Sequence, residues 1–208
     1  MSTTISRAAT TGLVGGALWV LLPISWSVAV LDDVEPGILG WFAVSAAYWI
    51  FAVLPPALII VGLAALRRAL GDGRLAQIGI AVAGIGLGAM ALGNGIEVAS
   101  LTAGGGEVDL GHSVFLIGFL VSVVGGILTG IAVFRRRKDG LARAAGLLLV
   151  LALPLGIGLG LLGTSVDPNN DAWFWAAISV PTGIGWVLLG TSLRATDRPA
   201  EVEFAPAP

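Results

Sequence analysis

Residues 112–138 decide the fold. They read HSVFLIGFLVSVVGGILTGIAVFRRRK, an apolar run that ends in four consecutive basic residues. The hydrocarbon core of a bilayer is about 30 Å thick, and a helix crosses it with roughly 20 apolar residues. The run 112–134 has that length and lacks the alternating pattern of a strand in a membrane barrel. It therefore predicts a transmembrane helix with a basic cluster at one membrane surface.

The rest of the chain repeats this pattern. Of the 208 residues, 56% are hydrophobic and only 12% are charged, whereas soluble domains carry about 25% charged residues. Disordered chains combine low hydrophobicity with high charge, so both classes are excluded. We predict an all-α polytopic integral membrane bundle of six transmembrane helices in one domain, 1–194, with a disordered cytoplasmic tail, 195–208. The predicted spans lie near 11–31, 38–66, 76–98, 112–134, 142–163 and 172–193.

The charged residues predict the orientation of this bundle. With six spans, all 11 basic residues fall on the side that also holds both termini. The connections on the other side contain acidic residues and no Lys or Arg, and these acidic residues are Asp32, Asp33, Glu35, Glu97, Glu107, Asp109, Asp167 and Asp171. The positive-inside rule then places both termini in the cytoplasm and the chain in the plasma membrane. A cleavable signal peptide is the competing interpretation of the first span, but its length and its tryptophans favour a retained helix.

Glycine and proline predict how the spans pack and bend. The 31 glycines suit the close backbone approach by which helices associate in lipid. Three GxxxG pairs, at 84/88, 126/130 and 156/160, predict packing within the chain, with contact between copies as the alternative. Prolines within the spans remove backbone donors and predict kinks. These prolines are Pro23, Pro55, Pro56, Pro154 and Pro181.

Four polar residues near the outer surface form a candidate site. Glu97 is the carboxylate within an otherwise apolar run, and Asn94, three residues earlier, shares its helix face. His112 opens the fourth span on the same side, shortly after Asp109. We predict an outer vestibule, or a proton or solute site, because intramembrane carboxylates usually mark function. The alternative is a pair of solvated helix ends, since Glu97 lies about 33 Å along its helix.

The aromatic residues divide into two groups by depth. Four of them lie deep in their spans and form a candidate aromatic cluster, which lines a pocket or packs internally. These are Trp19, Tyr48, Trp49 and Trp186. The remaining tryptophans fall at outer helix ends, where indole rings anchor a protein at the membrane interface. These are Trp26, Trp41, Trp173 and Trp175.

Several chemistries find no support in the sequence. The chain has no cysteine and one histidine, and it lacks both HExxH and GxSxG. We therefore expect no catalytic residues, no metal site and no cofactor. The expected partners are the lipid bilayer, an anionic lipid at the Arg135–Lys138 loop and a homo-oligomer or larger membrane complex, with no nucleic acid.

Three function classes remain on these grounds. A non-enzymatic accessory, assembly or sensory membrane subunit is favoured. A small-solute carrier or channel with Pro-kinked helices is the alternative, and a lipid-modifying enzyme comes third. A solid glycine-packed interior with a broad apolar surface favours the subunit, whereas a wet cavity reaching the midplane favours the carrier.

Overall fold

The structure is a computed structural model that describes residues 3–23, 45–103, 108–166 and 172–195. Within these ranges the chain is helical and contains no strand. The helices are α1 (Thr3–Val20), α2 (Ser45–Leu70, with a π-helical turn at Trp49–Val53), α3 (Arg74–Thr102), α4 (Asp109–Arg136), α5 (Gly140–Val166) and α6 (Ala172–Ala195). Of these, α2 to α6 are long and apolar enough to cross a membrane. The predicted all-helical bundle of membrane-spanning helices is confirmed.

The first helix begins earlier than the sequence predicts. We placed its start at residue 11, but α1 begins at Thr3. The hydroxyl of Thr10 donates to the carbonyl of Ser6 at 2.8 Å, and that of Thr11 to the carbonyl of Arg7 at 3.0 Å. These hydroxyls find acceptors within the helix, so polar residues are accommodated in the turns that precede the apolar run on which the prediction was based.

The other helix boundaries follow the predicted spans with small differences. Helices α3, α4 and α5 extend a few residues past both ends of their predicted spans, and α6 past one. The bilayer thickness limits the apolar stretch of a helix but not the helix itself, which accounts for these extensions. The predicted end of the first span, the predicted start of the second and the tail 196–208 lie outside the described residues.

The six helices pack as a closed ring in chain order. Each helix contacts the next one, and α6 returns to contact α1. Neighbouring helices run antiparallel: along α1, Gly12 meets Gly62 of α2, and Gly15, further along, meets Leu58. The amino end of α1 and the carboxyl end of α6 therefore lie at the same end of the ring, together with the turns 71–73 and 137–139.

This end of the ring carries the basic residues, and we call it the basic end. The described basic residues there are Arg7, Arg67, Arg68, Arg74, Arg135, Arg136, Arg137, Lys138, Arg143 and Arg194. The opposite end carries Glu97 and Asp109. Charge is thus segregated along the axis of the bundle, as the sequence predicts for a six-span topology.

Glycines bring α3 and α4 into backbone contact. On each helix three glycines recur every seventh residue, the period that keeps them on one face of two helices coiling left-handed. They are Gly79, Gly86 and Gly93 on α3, and Gly111, Gly118 and Gly125 on α4. A Cβ atom at Gly118 would lie 2.5 Å from the amide nitrogen of Met90. The helices therefore approach more closely than any side chain at these positions would allow.

Similar contacts connect other neighbours in the ring. Gly12 meets Gly62 between α1 and α2, and Gly130 meets the carbonyl of Gly146 between α4 and α5. The GxxxG pairs identify only some of these contacts. At Gly88 and Gly126, by contrast, a Cβ atom would have no heavy atom within 4 Å.

The prolines occupy different environments. Pro55 and Pro56 are fully buried and follow the π-helical turn of α2 after one residue, Leu54. Pro154 and Pro181 lie inside α5 and α6, and Pro23 ends the first described range. At Pro55 and Pro56 the helix changes its hydrogen-bonding register, as helices do at π-bulges. The kinks at the other prolines stay predictions.

Candidate functional site

The structure brings two of the four predicted outer residues together. His112, in the first turn of α4, places Nδ1 3.4 Å from Oε1 of Glu97 on α3. The Glu97 side chain is 12% exposed and that of His112 is 38% exposed. Gly111 makes this arrangement fit, because a Cβ atom there would lie 2.9 Å from Cγ of Glu97. The pair joins α3 to α4 at the end of the bundle opposite the basic end.

The other two predicted residues lie elsewhere. Asp109 is exposed at the first residue of α4, where a negative charge suits the helix dipole. Asn94 is buried, with 4% exposure, and turns towards α2. In the described ranges, no three His, Cys, Asp or Glu residues come close enough to hold a metal ion. The proposed vestibule therefore reduces to the Glu97–His112 pair.

Asn94 binds a carbonyl that a proline leaves without its usual donor. Its Nδ2 donates to the carbonyl of Ala52, within the π-helical turn, at 2.8 Å. In an α-helix the amide of residue 56 would donate to this carbonyl, but residue 56 is proline and has no N–H. Because a buried carbonyl without a donor is costly, Asn94 replaces the missing bond and ties α3 to the bend in α2.

The predicted deep aromatic residues separate into a central pair and a peripheral pair. Trp19 and Trp186 are buried, with 3% and 6% exposure, and both line the centre of the ring. Tyr48 is half-buried, and Trp49 is 47% exposed at the start of the π-helical turn. The four residues therefore do not form one cluster.

A second aromatic group was not predicted. The rings of Phe115 and Phe119 on α4 pack against Trp175 on α6, with centroid distances of 5.5 Å and 5.2 Å. We predicted Trp175 as an interfacial anchor, but it is packed between helices. The spacing of four residues between Phe115 and Phe119 was the available signal, since residues so spaced share a helix face. Trp26 and Trp41 lie outside the described residues, and the side chain of Trp173 is not described.

Among the described residues, a small cavity lies at the centre of the ring between α1 and α3 to α6. Its volume is about 20 Å³, which suffices for about one water molecule. The hydroxyls of Ser122 and Thr182 line it and donate to carbonyls of their own helices, at 2.8 Å and 2.7 Å. The Nε1 of Trp19, which also lines it, has no hydrogen-bond partner among the described residues. This cavity is therefore small and lined mainly by apolar side chains.

A polar network closes the basic end between α4, α5 and α6. Asp139 caps α5: its Oδ1 accepts from the Ala142 amide at 2.9 Å and from the hydroxyl of buried Ser192 at 2.7 Å. Arg137 donates to Asp139 Oδ2 at 3.0 Å and to Ser192 at 3.2 Å. Partial burial by itself raises the pKa of Asp139, but hydrogen bonds from Ser192, Ala142 and Arg137, with the charge of Arg137, outweigh it and hold that pKa below 3.8.

A second arginine of the same loop also binds within the protein. Nη1 of Arg136 donates to the carbonyl of Leu70, the last residue of α2. Its guanidinium occupies the space that a side chain at Gly73 would need. Arg136 therefore satisfies a terminal carbonyl of α2, and two of the four basic residues at Arg135–Lys138 have structural roles.

We predict that Asn94 and Pro56 are energetically coupled. Asn94→Ala should lower the free energy of unfolding by about 1–3 kcal/mol, because it strands the buried carbonyl of Ala52. In the Pro56→Ala background the loss should be smaller, because residue 56 then offers an amide. A double-mutant cycle of unfolding in detergent measures this coupling, and Asn94→Leu controls for lost volume. An equal loss in both backgrounds would contradict the assignment.

We predict that the network at Asp139 stabilises the protein in a pH-dependent way. Asp139→Ala should cost about 1 kcal/mol at pH 7, because it removes the cap of α5. The folded pKa lies below the unfolded value of 3.8, so the charge-dependent part is present above pH 3.8 and is lost as the pH falls through the folded pKa. Asp139→Asn keeps the capping oxygen, so it should lose only the charge-dependent part of the stabilisation. A thermal unfolding difference that does not shrink on acidification refutes the prediction.

Comparison with known proteins found no matching family model, no matching curated protein and no matching solved structure. The functional conclusion therefore rests on the geometry of these residues.

Proposed function

We propose that the chain is a non-enzymatic multi-pass membrane subunit, of the accessory, assembly or sensory kind, which acts through its outer surface. The observation that carries this proposal is the small volume of the cavity that the described residues enclose at the centre of the ring. The cavity of about 20 Å³ between Trp19 and Trp186 is far below the roughly 300–1,000 Å³ of typical ligand pockets. Glycine contacts close the seams between α1 and α2, between α3 and α4 and between α4 and α5, which supports a structural interior.

The outer surface supports the same proposal. On α3 the residues next to the packed glycines form an exposed apolar stripe of Ile78, Ile85 and Leu92, with exposures of 46%, 68% and 61%. On α4, Ile117 and Leu120 are 63% and 62% exposed. Such a surface suits contact with lipid tails or with the helices of a membrane partner. A homo-oligomer or a larger membrane complex is the assembly we expect.

The proposed orientation follows from the segregated charges. The amino end of α1 and the carboxyl end of α6 lie at the basic end of the ring, next to the turns 71–73 and 137–139. Loops rich in Lys and Arg are retained in the cytoplasm, so we place the basic end on the cytoplasmic side. The membrane that we expect is the plasma membrane. The Glu97–His112 pair then lies near the outer surface.

Single cysteines at three depths test the orientation and the filled centre together. The chain has no cysteine of its own, so Val108→Cys, Ala152→Cys and Lys138→Cys each supply the sole thiol. In intact cells an impermeant thiol reagent should label Val108→Cys and not Lys138→Cys. In opened membranes it should label both, but not Ala152→Cys, whose side chain is buried at the central cavity.

Two results would contradict the proposal. Labelling of Ala152→Cys at a rate comparable to Val108→Cys would mean that water reaches the centre, as a carrier or channel requires. Labelling of Lys138→Cys alone in intact cells would reverse the orientation. Thermal unfolding of each variant confirms that the substitution has not opened the bundle.

A further inference from the structure

An open groove runs between α2 and α3 at the basic end of the bundle. Its volume is about 930 Å³, and only these two helices and the turn between them line it. Its floor is apolar and includes Leu63 and Ile80, which are 4% and 8% exposed. The volume is in the range of sites for small organic ligands, and it is far larger than the central cavity.

The groove exists because α2 and α3 pack mainly on other helices. Helix α2 contacts α1 through Gly62 and Gly12, and α3 contacts α4 through its repeated glycines, so α2 and α3 contact each other much less. Gly84 faces the gap. A Cβ atom there would have as its nearest neighbour Cδ1 of Leu63, at 3.6 Å. A larger side chain at residue 84 would therefore enter the groove.

Two free cations stand at the mouth of the groove. Arg67 and Arg68, in the last turn of α2, line it and are exposed. Neither guanidinium makes a hydrogen bond or ion pair within the part of the chain that the structure describes. Arg136 and Arg137, at the same end, are used inside the protein. Asp72 in the turn also lines the groove, so its carboxylate offsets one of the two positive charges of Arg67 and Arg68. The groove thus combines apolar lining residues with a net positive charge.

We propose that this groove binds one anionic phospholipid, with an acyl chain along the exposed lining residues Ala81 and Ile85 and the phosphodiester between Arg67 and Arg68. Basic pockets between membrane helices bind anionic headgroups on the cytoplasmic side, and guanidinium groups match phosphate geometry. A soluble anion would satisfy the arginines but leave the exposed apolar lining at Ala81 and Ile85 uncovered. The site differs from the Arg135–Lys138 loop and is independent of the proposed function.

Native mass spectrometry of the delipidated full-length chain tests this proposal, with phosphatidylglycerol as the probe and phosphatidylcholine as the competitor. We expect one tightly bound phosphatidylglycerol. The double variant Arg67→Gln/Arg68→Gln should weaken it about thirtyfold, since each cation near the surface contributes about fivefold. Gly84→Leu should weaken it too, because the added side chain fills the groove. The matched control Arg135→Gln/Lys138→Gln removes the same charge from the same end and should change binding less than threefold.

Four results would overturn the proposal. The first is a control pair that weakens binding as much as the groove pair does, because that would indicate general attraction to a basic surface. The second is phosphatidylcholine binding as tightly as phosphatidylglycerol. The third is unchanged binding in a Gly84→Leu variant that unfolds at the wild-type temperature. Finally, binding that occurs only after truncation at Ala195 would assign the groove to the carboxyl-terminal tail.

Discussion

Backbone contact between α3 and α4 is the interaction on which the rest of the bundle depends. Lipid tails are as apolar as leucine, so helices in a bilayer gain little from excluding lipid and associate through close packing instead. At Gly93 and Gly111 the two backbones meet with no side chain between them. Close approach also positions the Glu97–His112 pair, because Gly111 leaves the space that Cγ of Glu97 approaches. Packing and the candidate site therefore share one cause.

Close glycine contacts occur between some neighbouring helices and not between others, and this difference determines both the interior and the surface of the bundle. Helix α1 meets α2 at Gly12 and α6 at Gly16, and large side chains such as Trp186 fill the centre that remains. Helices α2 and α3, which are adjacent in the chain, are drawn to different partners. The centre of the ring is consequently closed, while a groove stays open beside Arg67 and Arg68. The polar chemistry of this bundle lies at its two ends and on its outer side.

Much of the fold could be predicted from the sequence, because the length and apolarity of a membrane span are local properties. The choice of contact faces could not, since it depends on which helix becomes the neighbour. The search for GxxxG found Gly130 and Gly156, but the contact of α3 with α4 uses a seven-residue spacing. The early start of α1 at Thr3 was missed because its hydroxyl residues do not look apolar, although they hydrogen-bond within the helix.

The candidate site shows the same division between local and tertiary information. The sequence places Asn94 and Glu97 on one helix face, yet their side chains turn to different partners, α2 and α4. The signal for Asn94 lay in another helix: Pro56 removes an amide, so a buried carbonyl needs a donor from elsewhere. Sequence reasoning treated Pro56 as a kink and did not ask which side chain would replace its N–H.

The stability of two alanine variants on α4 tests the central role of glycine contact most directly. Gly118→Ala places a methyl group 2.5 Å from the Met90 amide, and overpacking of this kind costs about 1–3 kcal/mol. Gly126→Ala meets no atom within 4 Å and gains helix propensity of up to about 1 kcal/mol. Thermal unfolding in detergent should therefore show a lower midpoint for Gly118→Ala and an unchanged or higher one for Gly126→Ala. If Gly118→Ala unfolds at or above the temperature of the parent chain, the account of the fold is wrong.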